Sequence, residues 1–203
     1  AVGGNQTVKQ FSRRAFAASV ATDERWRHRG ACRGLLQYAE KKLKSRGVVL
    51  LMLAALTPEL GAMYEKLGFA GASTKFSPQR LPAPQGRAEV VSAVGYAGLR
   101  ETILYDLPHV RYALSDLRYQ ASMSGFYRLE LGDHYGCACA HMNGDTLVVD
   151  EILPDGSVLP ALLKKLPAKQ CRIRTAGGGE PFAMCRWLSA EQMPDVYLAF
   201  DFG

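Results

Sequence analysis

The stretch VVLLMLAAL at residues 48–56 constrains the fold of this chain more than any other. Its nine residues are apolar on both faces, and a helix needs about 20 such residues to cross a bilayer. A short run that is apolar on both faces is typical of a central strand in a parallel sheet that helices cover. The stretch therefore predicts a buried strand inside an α/β domain.

The segments on either side of this strand have the patterns of a βαβα unit. The small apolar residues AFAASVAT at 15–22 predict a strand, and apolar residues recur at helical spacing over 32–46. A Thr-Pro-Glu sequence beginning at Thr57 predicts a helix start, with an N-cap hydroxyl and a proline at the first position, and Gly68 predicts the end of that helix. Such a unit closes through a right-handed crossover, and its ligand is expected at the C-terminal ends of the strands.

The loop RHRGACRGLL at 27–36 places three arginines and a histidine around two glycines at the start of the predicted helix. The first N–H groups of a helix have no intrahelical partner and carry the positive end of the helix dipole, about half an elementary charge. Arginine adds a planar donor fork that matches phosphate oxygens. The loop has neither the Gly-Lys-Ser/Thr of a Walker loop nor a G-x-G-x-x-G fingerprint, so the pattern favours a diphosphate held without a metal.

The excess positive charge of the chain lies in its first third. Residues 1–70 contain twelve Lys/Arg against five Asp/Glu, whereas residues 71–203 contain thirteen against fourteen, and the whole chain has a net charge of +6. A cluster of positive charge that is confined to one segment predicts an anionic partner for that segment. The arginines are not interleaved with aromatic residues along a face, as they are in nucleic-acid-binding modules, so we expect no nucleic-acid partner.

Composition predicts a cytoplasmic protein that does not bind membranes. The longest apolar run is the nine-residue stretch above, and the N-terminal residues lack the basic and apolar regions of a signal peptide. Five cysteines form an odd set without the spacing of a disulfide framework, which indicates a reducing compartment.

The second half of the chain has a different, α+β character. Residues 77–87 carry three prolines and predict a linker, and Asn143-Gly144 predicts the turn of a β-hairpin. The remaining predictions are a short helix in SVLPALLKKL, a strand in QCRIRTAG and a terminal strand in VYLAFDFG. The expected organisation is an α/β lobe over 1–76, a linker over 77–95 and an α+β lobe over 96–203.

Residues 20–69 resemble the core of the GNAT N-acetyltransferase superfamily. That superfamily has an Arg/Gln-x-x-Gly-x-Gly/Ala motif at a helix start; Arg27 and Gly30 match it, and Cys32 stands where Gly or Ala is usual. YEKLGF at 64–69 resembles the later signature of the superfamily, which supplies a tyrosine. The resemblance implies a GNAT-like lobe with a mixed central sheet that binds acetyl-coenzyme A, without a metal.

The resemblance also implies roles for individual residues. Backbone amides from Arg29 to Gly34 would bind the pyrophosphate, backbone groups near the strand end would hold the thioester, and Tyr64 would protonate the departing thiolate. The expected cofactor-binding residues are Ser19, Val20, Ala21, Arg27, Arg29, Gly30, Ala31, Cys32, Arg33 and Gly34. The implied activity is transfer of an acetyl group to a small-molecule or peptide amine by direct attack. The alternative is a non-catalytic sensor of coenzyme A or acyl-coenzyme A.

The resemblance implies two further features of the whole chain. A GNAT domain has some seventy or more residues before the strand at 15–22, so we expect the N-terminal part of the domain to be missing. The second half is similar to the degenerate second GNAT-like lobe of the enhanced-intracellular-survival type, in which the C-terminal carboxylate, here Gly203, can serve as a base. The acceptor, the general base and homo-oligomer formation remain unassigned.

One cysteine cluster and one single cysteine have competing interpretations. Cys137, Cys139 and His141 lie on one face of a predicted strand, but their span is too wide for one metal ion, and burial among small residues explains them better. Cys32 at a helix start beside arginines could be a reactive thiol, because such surroundings lower a thiol pKa.

Overall fold

The computed structural model describes residues 10–11, 14–17, 20–72, 74–107, 109–176, 183–189 and 197. The helices in this part of the chain are α1 Ala31–Ser45, α2 Pro58–Lys66, α3 Ala93–Ile103, α4 Leu114–Gln120 and α5 Leu159–Lys165. The strands are β1 Gln10–Phe11, β2 Arg14–Ala17, β3 Leu50–Ala54, β4 Ala70–Ala72, β5 Thr74–Gln79, β6 Arg87–Val90, β7 His109–Val110, β8 Gly125–Leu131, β9 His134–Asn143, β10 Thr146–Leu153, β11 Gln170–Ala176 and β12 Ala183–Trp187. The fold is a mixed α/β fold, as the sequence predicted.

The chain divides into two compact units. The small unit is built from Arg13–Thr74 and Gly177–Pro194, and the large unit from Ala1–Ser12, Lys75–Ala176 and Asp195–Phe202. Each unit therefore takes its residues from separate parts of the sequence.

The small unit is a four-stranded mixed sheet in the order β2-β3-β12-β4. β2 runs parallel to β3, with Ala15 opposite Leu51 and Ala17 opposite Leu53, which confirms the predicted β-α-β connection through α1. β12 lies antiparallel between β3 and β4. The four leading residues of β3, Leu50 to Leu53, are all buried, as expected for a central strand.

The core of the small unit explains why these two helices form. Leu36 of α1 and Tyr64 of α2 pack with Leu51, Leu53 and Met184 of the sheet. Thr57 caps α2 by accepting a hydrogen bond from Leu60 N at 3.3 Å, and Pro58 occupies the first turn, as predicted. The βαβα unit is thus confirmed, and it positions the N-terminus of α1 beside α2.

The structure differs from the predicted lobe boundaries in two places. Residues 183–187, which fall in the predicted second lobe over 96–203, form β12, which pairs with β3 and β4 of the small unit. The predicted linker over 77–95 contains the end of β5, all of β6 and the start of α3. Both differences arise from strand pairing between residues far apart in sequence, which local composition does not encode.

The large unit is a six-stranded sheet in the order β5-β11-β10-β9-β8-β6. β9 and β10 form the hairpin predicted at Asn143-Gly144, and α5 and β11 follow where the sequence placed them. Along β9, Cys137 and Cys139 are buried in the core under α3, whereas Ala138 and Ala140 face the core under α5. The two cysteines are therefore core residues, in agreement with the predicted burial.

A short two-stranded sheet in the large unit joins β1 and β7 in parallel. His109 of β7 is buried, with its Nδ1 2.7 Å from the Leu107 carbonyl and its Nε2 3.2 Å from a Glu101 carboxylate oxygen. Tyr197, in the predicted strand VYLAFDFG, forms an isolated parallel β-bridge with His109. The rest of that segment, with Gly203, lies outside the described residues.

Candidate functional site

The N-terminus of α1 has no cap of its own within the described part of the chain. Gly30 is the N-cap residue and has a φ of 79°, in the left-handed region that glycine adopts without strain, and no side chain hydrogen-bonds to the cap. The first intrahelical bond runs from Gly34 N to Gly30 O at 2.9 Å. The first turn contains no acidic residue, so its N–H groups and the positive helix dipole are not neutralised locally.

The loop before α1 is held in shape by its own ion pairs. Asp23 caps a short 3-10 helix, Glu24–Trp26, and accepts a forked pair of bonds from Arg25 at 3.1 and 3.0 Å. These bonds lower the pKa of Asp23, so the carboxylate stays ionised at neutral pH. His28 also has a positive φ, 59°, so the backbone turns twice just ahead of the helix.

The three arginines of the loop have different roles in the structure. Arg27 donates to the Thr22 carbonyl at 3.3 Å and to Glu24 at 3.2 Å, so it braces the loop. The Arg29 guanidinium stacks 5.6 Å from the Trp26 ring centroid. Arg33, on the first turn of α1, lines the cavity described next.

A cavity of about 670 Å³ opens at the N-terminus of α1, within the small unit. Residues that follow β2, the loop, the first turn of α1 and one face of α2 contribute to its wall. The lining residues are Val20, Ala21, Thr22, Trp26, Arg27, His28, Gly30, Ala31, Cys32, Arg33, Leu60, Met63, Tyr64, Lys66 and Leu67. The cavity thus joins an unneutralised helix N-terminus to a mainly apolar wall.

Tyr64 of α2 lies in the wall of this cavity, as does Lys66 at the end of the same helix. Its side chain is buried and packs edge-on against Phe69, with ring centroids 5.9 Å apart. Burial, with a smaller contribution from the Cys32 thiol, raises the pKa of Tyr64 above its ordinary value. The hydroxyl therefore keeps its proton at neutral pH and can act as a proton donor.

Cys32 is not the activated thiol that the sequence left as one interpretation. The residue is half-buried in the cavity wall, and burial raises the pKa of its thiol. Burial disfavours the charged thiolate, so at neutral pH the thiol stays protonated.

The structure brings most of the predicted site residues to one cavity. Those that line it are Val20, Ala21, Arg27, Gly30, Ala31, Cys32, Arg33 and Tyr64. Arg29 and Gly34 are not among the lining residues, because Arg29 stacks on Trp26 and Gly34 lies one position beyond the turn that faces the cavity. Ser19 lies outside the described residues.

Sequence reasoning missed several residues of the cavity wall. Leu60, Met63 and Leu67 share the helical spacing of Tyr64, which predicts an apolar helix face, and part of that face lines the cavity. Trp26 and His28 had no spacing signal, although an exposed tryptophan beside a loop rich in arginine and glycine is itself an indication of a ligand site.

Comparison with known proteins identifies the segment that carries this cavity. Residues 1–69 match the model of the acetyltransferase (GNAT) family. We call these residues, about a third of the chain, the GNAT segment after this match. The match ends just after YEKLGF, so it includes the α1 loop, Tyr64 and both helices of the small unit.

Solved structures share the fold well beyond the GNAT segment. A GCN5-related N-acetyltransferase from Kribbella flavida aligns with a TM-score of 0.61 at 14% identity, covering 85% of this chain and 52% of that one. A GCN5-related N-acetyltransferase from Anabaena variabilis aligns with a TM-score of 0.55 at 11% identity, covering 81% and 52%. A conserved protein of unknown function from Enterococcus faecalis gives a TM-score of 0.57 at 13% identity, covering 83% and 52%.

These alignments establish the GNAT fold. The chain spans about half the length of the solved structures that it matches. A search of curated proteins finds no match to the chain. That the large unit is a second GNAT-like lobe stays a prediction.

Two searches of the described residues bear on other classes of site. No described helix has the length and apolarity needed to cross a membrane. Across the same part of the chain, no group of three or more His, Cys, Asp or Glu side chains has the arrangement to hold a metal ion.

Proposed function

We propose that the chain is an acyltransferase of the GNAT type that moves an acetyl group from acetyl-coenzyme A to an amine. One observation carries the proposal: the cavity joins the uncapped N-terminus of α1 to the buried hydroxyl-bearing side chain of Tyr64. The family of residues 1–69 supports the same reaction class.

The residues of the cavity suit the two chemically different ends of this co-substrate. The N–H groups of Gly30 to Arg33 and the positive dipole of α1 suit a diphosphate, and the first turn has no carboxylate to compete with it. The apolar side chains of Leu60, Met63 and Leu67 suit the pantetheine arm and its thioester. When bound, acetyl-coenzyme A supplies a thioester whose carbonyl carbon an amine attacks directly, with loss of the thiol.

The chain's own groups have two tasks in such a transfer. The α1 N-terminus fixes the donor, which turns a bimolecular encounter into an oriented one. Tyr64 holds its proton, because burial raises the pKa of its hydroxyl, and donates it to the departing sulfur. The base that takes the proton of the amine is not assigned to a described residue.

The test has two parts, both on the full chain. Calorimetric titration with acetyl-coenzyme A measures binding. At a ligand concentration a hundred times the dissociation constant, binding adds about 2.7 kcal/mol to the free energy of unfolding, so the midpoint temperature of unfolding should rise by several degrees. A panel of amines, with thiol release as the readout, then measures transfer. Binding without turnover on any amine would favour the coenzyme A sensor, and an absence of binding at millimolar concentration would refute both.

A further inference from the structure

The large unit has a cavity of its own, of about 610 Å³, at the β5 edge of its six-stranded sheet. Residues at the end of β5 and just after it form one part of the wall, and residues at the start of β11 form the other. The lining residues are Pro78, Gln79, Arg80, Leu81, Lys169, Gln170, Cys171 and Arg172. We call this cavity the edge groove, because β5 is the outermost strand on this side of the sheet in the described part of the chain.

Positive charge predominates in the edge groove. Arg80, Lys169 and Arg172 are all exposed, and the eight lining residues include no aspartate or glutamate. The excess continues along the chain, since residues 164–174 contain five Lys/Arg and no Asp/Glu. The carboxylate of Asp145 lies 2.7 Å from Lys169 Nζ and neutralises part of this charge. A groove in which cations outnumber carboxylates suits an anionic ligand.

The backbone on both sides of the groove is anchored before any ligand arrives. Lys169 N and Gln170 N both donate to the Asp145 carbonyl, at 2.9 and 3.3 Å, which ties the start of β11 to the turn between β9 and β10. Cys171 is buried in the core that α5 covers, and Leu81 on the other side packs against the same core. Binding therefore requires little ordering of the backbone that presents the cations, which favours affinity.

The chemistry of the lining favours a peptide over other polyanions. The planar guanidinium groups of Arg80 and Arg172 match the two oxygens of a carboxylate, and the amides of Gln79 and Gln170 can both donate to and accept from a peptide backbone. No lining residue is aromatic, so the groove offers no surface on which the bases of a single-stranded nucleic acid could stack. None of them is a large exposed hydrophobic residue of the kind that inserts into a lipid surface.

Pro78 determines how a peptide can be held in the groove. The residue lies near the end of β5, and proline has no N–H group to pair with an added strand. A bound peptide is therefore held by the side chains of the groove and does not extend the sheet.

The geometry points to the edge groove as a docking surface for an acidic peptide segment of a partner protein. This inference does not depend on the proposed function, because every residue of the groove belongs to the large unit and the acetyl-coenzyme A cavity belongs to the small unit.

The experiment measures binding of a fluorescent peptide of alternating glutamate and alanine to the full chain by fluorescence anisotropy. The acidic peptide should bind, and a peptide of alternating lysine and alanine should not. In Arg80→Glu, and separately in Lys169→Glu, affinity for the acidic peptide should fall by about tenfold, because each reversal replaces an attraction with a repulsion.

Arg118→Glu is the matched control. It makes the same charge reversal at an exposed residue of α4 in the same unit, outside the groove. Exposed charges more than about 10 Å apart are largely screened at physiological salt, so its affinity for the peptide should stay within about twofold of the wild type. Thermal unfolding without peptide checks that all three variants are folded.

Three results would overturn the assignment. The first is an absence of acidic-peptide binding to the wild type at millimolar concentration. The second is unchanged affinity in both groove variants, which would place the contact elsewhere. The third is an equal loss in Arg118→Glu, which would mean that the net charge of the chain attracts the peptide. Titration with acetyl-coenzyme A, run in parallel, tests the proposed function separately.

Competing anions distinguish a peptide partner from other sources of negative charge. Unlabelled acidic peptide should displace the fluorescent one, whereas inorganic phosphate, an oligothymidylate of the same length and vesicles that contain phosphatidylserine should compete only weakly. If any of the three competed as well as the unlabelled peptide, the groove would be a general anion-binding surface and the proposal would be wrong.

Discussion

The two helices of the small unit meet the same cavity in opposite ways. α1 presents its N-terminus, with a glycine at the N-cap, no capping side chain and no acid in its first turn. α2 is self-sufficient at its N-terminus, where Thr57 caps the backbone and Glu59 occupies the first turn, and it presents its side to the cavity through Tyr64.

This difference separates binding from stability within one unit. A helix normally satisfies its own N-terminus, because the unpaired N–H groups there are costly when no water or side chain reaches them. α2 follows that rule. A side-chain hydrogen bond between Thr57 and Glu59 also lowers the pKa of Glu59. α1 departs from it, so the missing cap is a feature of the ligand site, and the two ends should respond differently to equivalent substitutions.

The largest effect is expected from a negative charge at the open end. Gly30→Glu puts a carboxylate next to the proposed diphosphate and forces a non-glycine residue to a φ of 79°. Two unit charges about 4 Å apart near a protein surface repel by about 4 kcal/mol, so affinity for acetyl-coenzyme A should fall by roughly a hundredfold or more. Gly34→Glu is the control: it adds the same charge on the same helix outside the cavity wall, and a similar loss in both variants would argue against the open end as the binding site.

A smaller effect is expected from the side of α2. Tyr64→Phe removes the proposed proton donor and keeps the ring, so kcat should fall by about 10²-fold while the dissociation constant of acetyl-coenzyme A changes little. Unchanged kcat across the amine panel would show that Tyr64 is a packing residue. The readout is steady-state thiol release, with binding measured separately by titration.

The same residue gives a pH dependence with a definite sign. The folded state holds the Tyr64 proton to a higher pH than the unfolded chain does, so its contribution to stability is present below the ordinary tyrosine pKa of about 10 and is lost as pH rises through the folded pKa. Above the folded pKa, Tyr64 no longer has the proton that it would donate, so the rate of acetyl transfer should decline at alkaline pH. Tyr64→Phe should lack that decline. A wild-type decline that the variant retains would assign the titration to another group.

The closed end of α2 should affect stability alone. Thr57→Ala removes the bond to Leu60 N and should lower the free energy of unfolding by about 1 kcal/mol, measured by urea denaturation. Affinity for acetyl-coenzyme A should stay within twofold of the wild type. A large loss of affinity in this variant would mean that the α2 cap and the ligand site are coupled.

The smallest effect is expected inside α1. A Cβ added at Gly34 meets no atom within 4 Å, and the backbone there is helical, so Gly34→Ala should stabilise the protein by about 0.5–1 kcal/mol. Since Gly34 does not line the cavity, binding should not change. Weaker binding with higher stability would show that the cofactor approaches the backbone one residue further along the helix.

Much of the small unit could be predicted because its signals are local. The uncapped start of α1, the Thr57 cap and the central strand within 48–56 each follow from a few neighbouring residues. Of the site residues that the GNAT resemblance implied, eight line one cavity in the structure. Their catalytic and binding roles remain predictions.

The missed parts of the site depend on geometry that neighbouring residues do not encode. Whether Leu60 and Met63 face a core or a cavity depends on what packs opposite them, since the periodicity is the same in both cases. The place of β12 in the small unit could not be predicted either, because nothing near it in sequence indicates that it pairs with β3. The raised pKa of Cys32 likewise depends on burial, which its arginine neighbours did not predict.

The position of β12 has a consequence for how the protein is made. The strand lies between β3 and β4 in the sheet, yet more than a hundred residues of chain separate it from both. A ribosome delivers β3 and β4 first, and these two strands cannot be joined until β12 lies between them. β3 and β4 therefore keep unpaired edges until β12 has been synthesised, and the four-stranded sheet of the small unit is completed only then.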